Sequence, residues 1–169
     1  MHLSIRPWEA DDAPVIVEAL SDTGVTDNLR DGLPKPYTEA DARDYIAFAQ
    51  TAGEGAYAFA IVVDGETVGS IQLTRQQNIH RRTAELGYYV VRRRWGSGIC
   101  TEAVRQICRF AFENTDLLRV FAEPFAENAA SCRVLEKAGF KLEGVLRQNA
   151  VKNGEVRDMR LYSLVREDM

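Results

Sequence analysis

Cysteine is sparse in this chain. Cys100, Cys108 and Cys132 form an odd set, and Cys100 and Cys108 fall in a helical pattern without metal-ligand spacing. Neither a disulfide framework nor a zinc site follows from them, so buried free thiols and no metal are expected. Histidine is scarcer still: His80 sits beside Arg81-Arg82 in a loop between strands and reads as a surface residue, and His2 as incidental. No stretch approaches the roughly 20 uninterrupted apolar residues of a membrane-crossing helix, and Met1-His2-Leu3-Ser4-Ile5-Arg6 lacks a signal-peptide core. A cytoplasmic protein with no membrane partner is expected. A basic surplus is missing too, with 21 Lys and Arg against 25 Asp and Glu for a net charge of -4. That balance argues against nonspecific nucleic-acid binding.

What is present describes an ordinary globular protein. The 169 residues are 46% hydrophobic and 27% charged, without repeats, low-complexity tracts or a linker, and residues 1–169 are expected to form one domain. Against the acidic background the clusters Arg81-Arg82 and Arg92-Arg93-Arg94 stand out, and local basic clusters in an acidic protein suggest a compact anion.

Hydrophobic periodicity lays out the elements. His2 to Arg6 alternates and ends at Pro7, reading as a strand, and Asp11 or Asp12 can cap a helix whose apolar face includes Val15, Ala19 and Leu20. Ser21 to Tyr37, with Gly24, Gly32, Pro34 and Pro36, reads as a loop or broken helix able to border a cleft. Thr38 and Asp41 make a variant capping box for a helix over Glu39 to Thr51. Ala56–Val63 and Thr67–Leu73 flank Asp64-Gly65, and Leu142–Val151 and Glu155–Leu164 flank Asn153-Gly154, two type I′ hairpin signals. Between them the pattern predicts a strand over Thr83–Val91, a helix over Ile99–Asn114, a short strand over Leu118–Glu123, and a helix from about Asn128 to Ala138 closed by Gly139.

The turn Arg93-Arg94-Trp95-Gly96-Ser97-Gly98 lies between a strand and a helix. A turn feeding a helix N-terminus leaves backbone N–H groups unpaired, and those groups with the helix dipole attract phosphate. Glycine lets the backbone come close, and Arg93 and Arg94 supply cationic donors. The spacing is not that of a P-loop, and the third glycine of a dinucleotide fingerprint would fall at Thr101.

On these residues the chain resembles the GNAT superfamily, whose acetyl-CoA signature, Arg or Gln, two residues, Gly, one residue, Gly or Ala, is matched by Arg93, Gly96 and Gly98. Glu85-Leu86-Gly87-Tyr88-Tyr89-Val90, Thr101-Glu102-Ala103, Asn128 to Phe140, Glu143-Gly144-Val145-Leu146-Arg147, and Asn153-Gly154 with Asp158 to Leu164 look like its Rim-like branch of ribosomal-protein N-terminal acetyltransferases. The resemblance implies an α/β (α+β) GNAT fold with a mixed, mostly antiparallel sheet of about seven strands and helices on both faces. It implies acetyl-CoA as acetyl donor, with the backbone of Tyr89, Val90 and Val91 on the pantetheine arm. Arg93, Arg94, Trp95, Gly96, Ser97, Gly98, Ile99 and Thr101 then fall around the pyrophosphate, with Asn128, Ser131 and Lys137 also on the donor side. It implies an amine acceptor, a protein N-terminus first and a small amine second, in a monomer or homodimer.

Acetyl transfer to an amine needs a base, an oxyanion donor and a proton for the thiolate. Glu85 is the candidate base: an acidic residue in an apolar strand, sharing a face with Gly87 and Tyr89, whose burial would raise its pKa. Its competing role is a strand-face charge paired with an arginine. The tyrosine that many superfamily members use as acid corresponds to Leu135; the Rim-like branch carries a serine, here Ser131, which is the candidate acid, with first-turn capping as its competing role. Asn128 can both cap its helix and reach the thioester end. Trp8 and Trp95 read as packing residues, Asp158 and Tyr162 share a strand face in a structural or acceptor-side role, and Asp22, Asp27 and Asp31 would suit a cationic acceptor. A noncatalytic acyl-CoA-binding module is the rival.

Overall fold

The computed structural model describes residues 1–169. The chain runs β1 (Leu3–Pro7), α1 (Ala13–Leu20), α2 (Thr23–Thr26), α3 (Glu39–Thr51), β2 (Ala56–Val63), β3 (Glu66–Arg75), β4 (Thr83–Val90), α4 (Ile99–Asn114), β5 (Arg119–Ala122), α5 (Ala129–Lys137), β6 (Lys141–Lys152) and β7 (Glu155–Val165). The strands form one seven-stranded sheet in the order β1-β2-β3-β4-β5-β7-β6. Every neighbouring pair is antiparallel except β4 and β5. This is the mixed, mostly antiparallel sheet that the resemblance implies.

Both hairpin signals hold. Asp64 and Gly65 have φ of 49° and 83°, Asn153 and Gly154 53° and 77°, so both central residues of each turn take the left-handed conformation that a type I′ turn demands. The stretch from Ser21 to Tyr37 is nearer a broken helix than a loop, because Asp22 accepts the Gly24 N–H at 2.9 Å and caps the single turn of α2. β6 is irregular, with register shifts between Leu142 and Gly144 and between Leu146 and Ala150. Gln148 has φ of 55° there, and its N–H donates to the Asp158 carboxylate at 2.7 Å, so Asp158 secures a bulge. Tyr162 is wholly buried and donates to Glu136 at 2.8 Å, a structural role as well.

Period-two alternation divides the core between the two sheet faces. Ala58 and Ala60 of β2 are small and admit α1 and α3, where Trp8, Ile16, Ala42 and Ile46 form the smaller cluster. Tyr57 and Phe59 pack instead on Phe110 of α4, with ring centroids 5.6 and 5.2 Å apart. α4 turns Ile99, Ala103, Val104, Ile107, Cys108 and Ala111 into the larger cluster, the spacing of one helix face. Each wholly buried aliphatic there contributes roughly 1.5 to 3 kcal/mol. All three cysteines are free, and burial pushes the Cys100 and Cys108 thiols up to about 12. No helix is long and apolar enough to cross a membrane.

Candidate active site

The site originates in the parallel pair at the centre of the sheet. β4 and β5 pair only from Thr83–Arg119 to Glu85–Phe121. β5 then ends at Ala122 and the chain leaves through Glu123-Pro124, while β4 continues to Val90. The two strands therefore diverge. The Val91 N–H donates to the Val68 carbonyl of β3 at 2.9 Å, so alternation turns the backbone groups of Leu86, Tyr88 and Val90 toward the gap; of the expected pantetheine-binding backbone, Val90 faces it, whereas Tyr89 and Val91 pair with β3. A cleft of about 1090 Å³ opens there and reaches both sheet faces.

One half of the cleft lies on the α4–α5 side. Gly96 and Gly98 have φ of 77° and 75°, a conformation that costs most L-residues about 1 to 2 kcal/mol. Gly98 is the N-cap of α4, and no side chain caps that helix, so the N–H groups of its first turn have no protein acceptor. With the positive end of a 16-residue helix behind them, they form an anion seat. The Trp95 indole donates to the Val90 carbonyl at 2.8 Å and pins the turn against the end of β4. Opposite, Asn128 caps α5 by accepting the Ser131 N–H at 3.2 Å, which frees the Ser131 hydroxyl from capping. That hydroxyl lies 2.7 Å from the Tyr88 hydroxyl. Burial holds the Tyr88 phenol well above its ordinary value, opposed by Ser131, so it stays protonated.

The other half lies on the α1–α3 side, where Thr74, Gln72 and Ser70 of β3 stand beside Glu85, Gly87 and Tyr89 of β4. Gly87 leaves open space between Glu85 and Tyr89. The Glu85 carboxylate is paired with the Arg30 guanidinium, which also lies 4.0 Å from the Glu123 carboxylate. Glu123 is pushed up from the ordinary carboxylate value by burial and by the charge of Glu85, with Arg30 opposing.

Glu85, Tyr89, Val90, Arg94, Trp95, Gly96, Ser97, Gly98, Ile99, Thr101, Asn128, Ser131 and Lys137 all line this one cleft. Val91 and Arg93 do not. Val91 is wholly buried, and Arg93 turns away to Glu18, at 2.8 Å, and Glu66. Each arginine of the Arg92 to Arg94 turn is held by a carboxylate, Asp22, Glu18 or Glu66. Two residues escaped the sequence reading. Tyr88 falls on the strand face opposite Glu85. Glu123 lies two residues beyond Phe121, the partner of Glu85, and so shares the face of Glu85; only the β4–β5 register shows this.

Comparison with known proteins agrees with this geometry. The family model described as acetyltransferase (GNAT) domain matches residues 2–141. The uncharacterized N-acetyltransferase p20 of Bacillus licheniformis is 31% identical, over 99% of this chain and 94% of that protein. The uncharacterized N-acetyltransferase YoaA of Bacillus subtilis is 38% identical over 60% of this chain, a match spanning only 56% of that relative's own length. Among solved structures, RimL, a ribosomal L7/L12 alpha-N-protein acetyltransferase in complex with coenzyme A, superposes with a TM-score of 0.84 at 20% identity, covering 96% of this chain and 93% of that one. The spermidine N-acetyltransferase of Vibrio cholerae in complex with CoA and spermine also gives 0.84, at 18% identity, covering 98% of this chain and 96% of that one. At such identities these two likenesses establish the fold.

Proposed function

The chain belongs to the GNAT acetyltransferase family, and from that premise we propose that it carries acetyl from acetyl-CoA to the α-amine of a polypeptide N-terminus. The observation that carries the proposal is the two-sided cleft at the β4–β5 divergence, with an uncapped helix N-terminus on one face and carboxylates on the other. The pyrophosphate of acetyl-CoA suits the Gly96 to Gly98 turn and the free N–H groups of α4, with Arg94 beside them. The pantetheine arm suits the backbone groups of β4 that face the gap, which carries the thioester into the sheet.

The acceptor enters as an ammonium drawn to Glu85 and Glu123. Glu85, directly or through one water, takes the proton that must leave the nitrogen. The neutral amine then attacks the thioester carbonyl carbon; as the C–S bond breaks, the nitrogen gives its second proton to water, and the thiolate takes a proton from Ser131, whose hydroxyl is re-supplied through Tyr88 and, behind it, from solvent. A thiol of pKa near 8.5 is a tolerable leaving group, so this last step has the smallest demand. The likeness to RimL supports a polypeptide amine, and the likeness to the spermidine enzyme makes a polyamine the competing acceptor.

Thiol release from acetyl-CoA, measured with peptides bearing a free N-terminus, the same peptides with that amine blocked, and spermidine, tests the proposal. Turnover confined to the unblocked peptides is expected, and Glu85→Gln should lower it about 10² to 10⁴-fold. Turnover on spermidine alone, or tight CoA binding without acceptor-stimulated release, would overturn it.

A further inference from the structure

Glu85 and Glu123 share one sheet face, and a cation of the chain itself stands beside both. Arg30 donates to the Glu85 carboxylate and lies 4.0 Å from that of Glu123. No other cationic group lies within 4.0 Å of either carboxylate. The segment that delivers Arg30 is fastened on both sides of it. Asn153 donates to Asp27 at 3.1 Å, and Lys152, buried at 7% exposure, donates to Asp31 at 2.8 Å. Both anchors come from the β6–β7 hairpin, which thereby straps residues 27–31 beside the cleft that Asn28 to Asp31 line. Arg30 itself is 64% exposed at its side chain, and nothing in the core depends on it. The guanidinium occupies one oxygen of the Glu85 carboxylate, so it competes with an incoming ammonium for that group.

We propose that Arg30 is a placeholder that sets the affinity an acceptor must have: it fills the ammonium subsite formed by Glu85 and Glu123, and a cationic acceptor must displace it to bind. The inference rests on the acceptor entering by the Glu85 face, as proposed above. An occupied subsite lowers the apparent affinity of every amine by the fraction of molecules in which Arg30 has swung away. Acceptors with further contacts in the cleft, as an extended polypeptide has, reach useful occupancy despite that factor, whereas a small monoamine does not. Displacement leaves the net charge of the cluster unchanged, one cation for another, so the two carboxylates are never left to repel each other.

The test compares wild type with Arg30→Ala, Arg30→Lys and Asp27→Ala/Asp31→Ala in steady-state thiol release, with a free N-terminal peptide and with spermidine. Arg30→Ala is expected to lower the acceptor KM by roughly two- to fivefold with kcat within about twofold, as removal of one partly exposed ion pair allows. Arg30→Lys should stay near wild type, and cutting the strap should reproduce part of the drop. The acid limb of kcat/KM should move to higher pH in Arg30→Ala, since Glu123 then feels Glu85 without the opposing guanidinium. The tyrosines facing this half of the cleft, Tyr37, Tyr45 and Tyr89, are held above the ordinary phenol value by burial and remain neutral throughout. An unchanged or raised acceptor KM in Arg30→Ala, or an unmoved acid limb, would overturn the placeholder role. Wild-type turnover on spermidine but on no peptide would instead defeat the polypeptide reading, and the Arg30 comparison then runs on spermidine with the same expected shifts.

Discussion

Replacing Ser131 by alanine removes the hydroxyl proposed to protonate the departing thiolate. The Oγ of Ser131 has one protein partner, the Tyr88 hydroxyl at 2.7 Å, and the cap of α5 is supplied by Asn128 through a backbone N–H that the substitution leaves intact. The fold should therefore survive, and the loss should fall on the chemical step. General acid catalysis contributes about 10² to 10⁴-fold, and a thiolate needs the help less than an alkoxide would, so a drop of about 10²-fold, near 2.7 kcal/mol, is expected. Tyr88→Phe keeps Ser131 and removes one hydrogen bond of about 0.5 to 1.5 kcal/mol, a two- to twelvefold loss. If Tyr88 acts only through Ser131, the double variant is no slower than Ser131→Ala, and the coupling energy equals the whole effect of Tyr88→Phe. Single-turnover rapid quench at saturating acetyl-CoA isolates this step from product release. A Ser131→Ala rate equal to wild type refutes the assignment. A Tyr88→Phe loss larger than that of Ser131→Ala moves the role to Tyr88.

Three further outcomes are expected. Asp12 accepts two hydrogen bonds from Arg6, at 2.8 and 2.9 Å, one from Thr67 at 2.7 Å and one from the Glu9 N–H at 2.9 Å. Burial works to raise its carboxyl, but those donors outweigh it and hold the group below the ordinary value, so its stabilisation is present above the unfolded pKa of about 4 and is lost as pH falls through the folded pKa. Asp12→Asn should cost about 2 to 3 kcal/mol at pH 7 in urea unfolding, shrinking toward pH 3; a pH-independent difference contradicts the linkage. Gly98→Ala forces a side chain into φ of 75° and should lower Tm by about 2 to 8 °C. It should also diminish the Tm rise that acetyl-CoA produces, and an undiminished rise removes the turn from the donor site. Asn128→Ala should cost about 1 kcal/mol as a lost cap, and an accompanying increase in KM for acetyl-CoA separates a second, donor-side role from capping alone.

Local chemistry made much of this molecule legible in its sequence. Asp64-Gly65 and Asn153-Gly154 announce their hairpins because few residues tolerate two successive positive φ angles, and Gly96 and Gly98 mark the strand-to-helix turn for the same reason. Glu85 stands out as a charge in an apolar strand, and Asn128 as a cap before a helical pattern. These are signals carried within a few residues. What the tertiary structure alone decided depends on residues far apart in the chain. Whether Arg93 faces a ligand or two glutamates depends on where α1 and β3 put Glu18 and Glu66. Tyr88 meets Ser131 across 43 positions, and Arg30 meets Glu85 across 55. Glu123 joins Glu85 only through the register of a parallel strand pair whose crossover spans α4. Local preference selects each element, but the divergence of β4 from β5, which makes the cleft, arises from how long each strand can stay paired within the assembled sheet.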